Sequence, residues 1–365
     1  MPVTLVAMGL PGLRAAVAAP DPLRPADPRL VDRFGRVATD LRVSLTDRCN
    51  LRCGYCMPAE GLDWMAAERL LTDDEVVRLV RIGVEHLGIT EVRYTGGEPL
   101  LRKGLESIVA RTSTLRTAQG DQVETSLTTN GIGLARRARA LADAGLHRVN
   151  VSLDTLEPER FARITRRDRH ADVLAGLAAA AAAGMTPVKV NAVLLRGVND
   201  DEAPALLRWA LSLGYELRII EQMPLDAQGG WQRSTMVTAD EVLATLSAQF
   251  TLLPQDAGTR GAAPAESFRV APMASTPAGT VGIIASVTRS FCGACDRTRL
   301  TADGQMRDCL FARSETDLRA LLRDGSGDEA VAQVWREAMW RKRAGHGIDD
   351  AGFVQPDRPM SAIGG

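Results

Sequence analysis

Residues 41–56 read Leu-Arg-Val-Ser-Leu-Thr-Asp-Arg-Cys-Asn-Leu-Arg-Cys-Gly-Tyr-Cys. The first five alternate apolar and polar side chains, the period of a strand with one buried face. A loop follows at once, with Cys49, Cys53 and Cys56 inside eight residues. A structural zinc site wants four ligands, and no histidine lies nearby to complete one. A four-iron cubane held by three cysteines keeps one iron open, whereas a fourth cysteine would close it. A zinc knuckle with a distant fourth ligand is the competing reading. The loop's place directly after a strand favours the cluster.

Outward from this stretch the rhythm repeats. Strands are expected at 41–45, 91–94, 123–127, 148–151, 188–191 and 216–220. Helix signals lie between them: Thr72-Asp-Asp-Glu75 has the form of a capping box, for a helix ending near Gly88, and alanine-rich 171–183 runs to Gly184. Six βα units imply a parallel sheet with right-handed crossovers. The fold class is therefore α/β, a partial (β/α)6 TIM-like barrel, closed or partly closed. In such barrels the chemistry sits at the C-terminal strand ends. The segments there are the cysteine loop, Thr95-Gly-Gly-Glu-Pro99, Thr128-Thr-Asn-Gly131, Ser152-Leu-Asp154, Asn191 and Glu221-Gln-Met223. All are polar, glycine-rich or sulfur-bearing, which a purely structural rim would not need.

Three regions follow: a proline-rich, flexible leader at 1–36, the barrel core at 37–250, and a C-terminal region at 251–365. In the last, 254–280 is rich in Pro, Gly, Ala and Ser, a β-like run spans 279–287, and a charged, Trp-containing helix is expected at 328–344. A net charge of -1 gives no global basic field, which argues against nucleic acid or an anionic membrane as partner. No window approaches the roughly 20 apolar residues that span a bilayer. The apolar start has no Lys or Arg before Arg14, unlike a secretory signal. Six cysteines in two tight groups suit metal ligation in a reducing cytoplasm better than disulfides.

The second group is Cys292, Cys295 and Cys309, again three thiols without an obvious fourth ligand. A zinc ribbon short of one ligand is the competing reading. Arg297 and Arg299, inside the loop, suit an anionic ligand, because guanidinium groups fork onto phosphate oxygens. Arg42, Arg93, Lys189 and Arg218 fall on or beside expected strands, where inward positions are normally apolar. Together these six could meet a triphosphate. Arg166, Arg167 and Arg169 follow no strand and read as surface charges.

The first cysteine spacing, with Tyr55 before its last member and Gly96-Gly97-Glu98-Pro99 one strand later, resembles the radical S-adenosylmethionine superfamily. In that loop the glycines allow close backbone approach and the carboxylate of Glu98 can accept from a ligand ammonium. From about Asp32 to Gly365 the chain resembles the GTP 3′,8-cyclase family. The match is carried by residues 41–50, 93–100, 127–131, 149–154, 188–191, Ser290-Phe-Cys-Gly-Ala-Cys-Asp-Arg-Thr-Arg299 and the Gly-Gly end.

The resemblance implies two 4Fe–4S clusters and S-adenosylmethionine as cofactors. Cys49, Cys53 and Cys56 would hold the radical-generating cluster, and Tyr55, Gly97, Ser152 and Met223 would line the S-adenosylmethionine site. Arg42, Arg93, Thr128, Lys189, Arg297, Thr298 and Arg299 would contact GTP, with Arg218 beside them. Cys292, Cys295 and Cys309 would hold an auxiliary cluster whose open iron meets the guanine base. Gly364 and Gly365 would form a flexible tail entering the active site. A deoxyadenosyl radical would take hydrogen from C3′ of GTP, and the sugar radical would add to C8. Cyclic pyranopterin monophosphate synthase would receive the product, and flavodoxin or ferredoxin would supply electrons. A homodimer is compatible with the sequence. The rivals are a peptide-modifying radical enzyme, which commonly carries more C-terminal cysteines, and a non-enzymatic iron–sulfur or zinc protein. The latter leaves Gly-Gly-Glu-Pro and Arg-Thr-Arg unexplained.

Overall fold

Alternation along each strand builds a sheet with two unlike faces. The computed structural model describes residues 21–255, 260–274 and 276–364. A ribbon of β1 (Leu30–Val31) and β2 (Val37–Ala38) precedes the main sheet. The core strands are β3 (Asp40–Ser44), β4 (Glu91–Thr95), β5 (Glu124–Thr129), β6 (Arg148–Ser152), β7 (Lys189–Val193) and β8 (Glu216–Ile220). They pair in parallel, in chain order, and lie within two residues of the expected positions.

The C-terminal region adds β9 (Leu252–Pro254), β10 (Glu266–Val270), β11 (Gly279–Ile284), β12 (Arg297–Leu300), β13 (Gln305–Arg307) and β14 (Thr316–Asp317). Strand β11 joins β8 in parallel at one edge, and β12 joins β3 in parallel at the other. Residues 285–296 therefore cross from one edge of the parallel array to the other. Beyond these strands, β10 with β9 and β13 with β14 extend the two ends antiparallel. The closed form of the expected barrel is corrected here: the twelve-stranded sheet is open, with β14 and β9 at its unpaired ends. Each edge of the six-strand core takes a C-terminal strand instead of the opposite edge. The stretch 254–280 also holds β10, whose Glu-Ser-Phe-Arg-Val alternation is short and flanked by turn-forming residues.

One sheet face is apolar and packs against helices. Leu41, Val43, Val92, Tyr94, Leu127, Val149, Val190 and Leu217 are fully buried there. Truncating one such leucine to alanine costs about 2–5 kcal/mol. The helix Asp73–Leu87 begins with the expected capping box, Thr72 and Glu75 bonding reciprocally, and ends at Gly88 with φ +80°. The opposite face carries Arg42, Arg93, Asn150, Asn191 and Arg218, a polar inward face where barrels are usually apolar.

Residues 1–20 of the expected leader lie outside the described residues. Residues 21–36, expected as flexible, are instead tied down. Trp340 donates to Asp21 at 3.0 Å, Arg24 pairs with Glu337 at 2.9 Å, and Arg36 donates to the Cys292 carbonyl at 2.6 Å. The expected C-terminal helix spans Asp328–Trp340 and seats Trp335 in the core. Among the described residues no helix is long and apolar enough to cross a membrane.

Candidate active site

The first cysteine loop leaves β3 and is folded onto the β4 loop. Gly97 is required there: a Cβ would fall 2.3 Å from the Arg48 carbonyl oxygen and 2.4 Å from that of Asp47. Gly96, at φ +138°, likewise abuts the Thr46 carbonyl. Leu51 N–H and Asn130 Nδ2 point at Cys49 Sγ, at 3.5 and 3.8 Å. Cys49, Cys53 and Cys56 line one cavity with Tyr55, Gly97, Ser152 and Met223, so the residues expected around S-adenosylmethionine converge. Tyr55 donates to Asp154 at 2.8 Å, and Asp154 also accepts the Val193 N–H. Burial pushes Asp154 up to about 6, Cys53 well above its ordinary value and Cys56 to about 12.

The second loop, between β11 and β12, lines an adjoining cavity together with Cys309, which follows β13. Cys292, Cys295 and Cys309 stand there with Arg42, Arg93, Arg218, Arg297 and Arg299. The two cavities share Thr128, Asn191, Ile220 and Met223 in their walls. Nε of Arg42, Nε of Arg93 and Nη2 of Arg297 are buried without an acceptor, and Asn191 Oδ1 is buried without a donor. Burial and the neighbouring Arg42 push Arg93 down to about 10 and also lower Arg299. Arg42 lies 3.4 Å from Asp40, Arg297 3.8 Å from Asp296 and Arg218 2.7 Å from Glu216. Nε of Arg42 and of Arg93 and Nη2 of Arg297 nevertheless keep donors to spare, so five arginines around one cavity can still take an anion.

The thiols respond to the same field. Burial would raise Cys295, but Lys342 and Arg297 outweigh it and hold the thiol at about 7. His346, beside Cys292, likewise overcomes burial and lowers it, whereas burial raises Cys309. The Phe291 ring lies 4.8 Å from the Arg297 guanidinium carbon, and Arg36 donates to the Cys292 carbonyl at 2.6 Å.

All six cysteines are free. Among the described residues no three His, Cys, Asp or Glu side chains converge as on one metal ion. Each trio lines a cavity wall, and three soft thiols in one wall suit an iron–sulfur cluster.

Several placements differ from expectation. Thr298 points away from the cavity: β12 alternates, and its hydroxyl accepts from Trp335 Nε1 at 3.1 Å on the helix side. Glu98 is fully buried and already engaged, accepting from Leu100 N–H, Thr129 Oγ1 and Asn130 N–H at 2.7–2.9 Å. It braces β4 against β5 and does not present its carboxylate to a ligand. Burial raises it to about 7 in spite of these donors. Lys189 is absent from the cavity lining. It stands on β7 two residues before Asn191, 3.9 Å from Glu216. Arg166 is exposed yet functional in structure, donating to the carbonyls of Arg52 and Met57 and so bracing the cysteine loop. Gly364 does lie at the sheet: its carbonyl accepts from Arg299, and a Cβ there would fall 2.3 Å from Ser44 Oγ. Gly365 lies outside the described residues.

Sequence reasoning missed Asp154, Asn130, Arg36, Lys342 and His346 as parts of the site. Asp154 and Asn130 sit in rim segments it had marked, so their strand position was a usable signal. Lys342 and His346 follow a helix in no recognisable motif.

The chain matches the Radical SAM superfamily over residues 43–210 and Molybdenum Cofactor Synthesis C over residues 215–348. It is 64% identical to the GTP 3′,8-cyclase of Streptomyces coelicolor, covering 92% of this chain and 96% of that one. Against the GTP 3′,8-cyclase of Mycobacterium sp. strain KMS it is 61% identical over the full length of both. A crystal structure of Streptococcus suis SuiB bound to S-adenosylmethionine superposes with a TM-score of 0.55 at 12% identity, covering 82% of this chain and 68% of that one, a likeness of fold alone. With two adjoining thiol-lined cavities, a basic inward face and full-length relatives of one kind, the chain belongs to the GTP 3′,8-cyclase family of radical S-adenosylmethionine enzymes.

Proposed function

We propose that this chain converts GTP to (8S)-3′,8-cyclo-7,8-dihydroguanosine 5′-triphosphate, the first step of molybdenum cofactor biosynthesis. The observation that carries the reading is the charge of the two adjoining cavities. The first is lined by no Lys, Arg or His and contains Asp154, while the second is lined by five arginines. S-adenosylmethionine brings its own sulfonium and ammonium; GTP brings a triphosphate. Each ligand has a cavity of complementary charge.

Cys49, Cys53 and Cys56 would hold one 4Fe–4S cluster, and Cys292, Cys295 and Cys309 a second. Bound at the first trio and reduced, such a cluster supplies the electron that releases a 5′-deoxyadenosyl radical from S-adenosylmethionine. Tyr55, Gly97, Ser152 and Met223 position that cofactor. Arg42, Arg93, Arg218, Arg297 and Arg299 bind the nucleotide, with Thr128 in the shared wall. Lys189, on the same strand as Asn191, adds charge from beneath. Thr128, Asn191, Ile220 and Met223, shared by the two cavities, would let the nucleotide's ribose be held next to the cofactor site. The Gly364 carbonyl on Arg299 occupies part of the same space, so the tail would yield or reorient as substrate enters. A low-potential donor such as flavodoxin or ferredoxin would reduce the first site in the cytoplasm. The product would pass to cyclic pyranopterin monophosphate synthase.

The test is anaerobic incubation of reconstituted protein with S-adenosylmethionine, reductant and GTP. The expected result is 5′-deoxyadenosine formed only when GTP is present, together with the cyclised nucleotide. Deoxyadenosine formation indifferent to GTP, or supported by a peptide instead, would overturn the reading. Iron analysis should give about eight irons per chain, as two cubanes require.

A further inference from the structure

Lys342 follows the helix Asp328–Trp340 by two residues and is 3% exposed. Its Nζ donates to Cys295 Sγ at 3.3 Å and to the Arg297 carbonyl at 2.8 Å. Both hydrogen bonds go to groups without a formal charge, and Asp308 feels the ammonium without a hydrogen bond to it. A buried ammonium without an anion is costly, and a neutral thiol is a weak acceptor. The arrangement is balanced once the sulfur carries negative charge, as it does when ligating iron. Lys342 thus touches two functions with one ammonium: a thiolate of the second trio, and the backbone of the arginine whose guanidinium enters the nucleotide cavity.

We propose that Lys342 is a positioning residue that sets the potential of a cluster held by Cys292, Cys295 and Cys309 and couples that cluster to nucleotide binding through Arg297. The inference rests on the two-cluster reading above. An N–H···S bond from a cation favours the more negative, reduced form of a cluster and raises its potential. The same contact holds the Arg297 backbone in register, so losing it also loosens the grip on the nucleotide. The residue acts through its neighbours and does not touch the reacting atoms.

The experiment uses the full chain, reconstituted anaerobically, with Cys49, Cys53 and Cys56 replaced by alanine so that the second site is seen alone. Lys342→Met and Lys342→Arg are made on that background, and the midpoint potential is followed by electron paramagnetic resonance. GTP affinity is measured on the same samples. The expected result is a more negative potential in Lys342→Met and a GTP dissociation constant about tenfold higher, with both restored toward the parent by Lys342→Arg. Loss of iron in Lys342→Met with retention in Lys342→Arg would support the same role. An unmoved potential in an iron-loaded Lys342→Met overturns it. So does equal iron loss in both variants, which would mark a packing role. A parent background that binds no cluster would instead refute the two-cluster reading, and this inference with it.

Discussion

The two cysteine loops present the same three thiols to opposite surroundings. Around the first, burial is the main influence on Cys53 and Cys56, and the nearby carboxylate of Asp154 pushes Cys53 further up. Around the second, burial acts too, yet Lys342 and Arg297 overcome it at Cys295 and His346 overcomes it at Cys292. The difference teaches that the trios are not duplicates of one module. The first is neutral to acidic, lined by no Lys, Arg or His and containing Asp154. The second is lined by five arginines, and there Cys292 and Cys295 are biased toward thiolate while burial holds Cys309 up.

The largest effect should come from the first loop. Replacing Cys53 with alanine is expected to cut GTP-dependent deoxyadenosine formation by more than about a thousandfold, read by chromatography, while GTP still binds in equilibrium dialysis. An equal collapse of GTP binding would erase the distinction between the loops. Next, Arg297→Ala should weaken GTP binding roughly 10- to 100-fold, the range for a charge-assisted hydrogen bond, and leave S-adenosylmethionine affinity unchanged. The converse pattern would reverse the assignment of ligands to cavities.

A smaller effect is expected at Gly97, where an added Cβ would strike the Asp47 and Arg48 carbonyls. Gly97→Ala should lose about 1–3 kcal/mol of stability, as overpacking does, and should lower iron at the first site only. Iron analysis with thermal melting checks both. The smallest signal is a proton. Burial, then the charge of Arg218, lowers Lys189 to about 8, so near that pH the free protein holds it only partly protonated. Phosphate raises its pKa again, and GTP binding at pH 8 should therefore take up about half a proton. Above pH 8 affinity should fall. Calorimetry in two buffers of different ionisation enthalpy measures the uptake, and Lys189→Met should abolish it.

Much of this architecture was legible in the chain, because strands with one buried face and loops dense in sulfur or glycine write themselves locally. The core strands, the first helix with its capping box and both thiol groups are of that kind. Thr298 shows a signal that was present but unused: in a strand, Arg297 and Arg299 on one face put Thr298 on the other. Glu98 shows a signal that was absent, since no local pattern tells whether a carboxylate will be claimed by Thr129 and Asn130 from the next strand. Arg36, Lys342 and His346 were hidden for the same reason. Each reaches the second loop from a distant segment, and only tertiary packing decides the contact. Sheet closure failed on similar ground, because which strand fills an edge is settled by the whole chain.

That edge arrangement bears on how the molecule is made. Strands β3 to β8 pair neighbour to neighbour, so each can dock as it leaves the ribosome. Strand β12 must instead travel back to β3, across most of the sequence, after β11 has docked on β8. Contacts of such long sequence separation form late. A nascent chain therefore completes the scaffold of its first cysteine loop, with Arg42, Arg93 and Arg218, before Arg297 and Arg299 are in place.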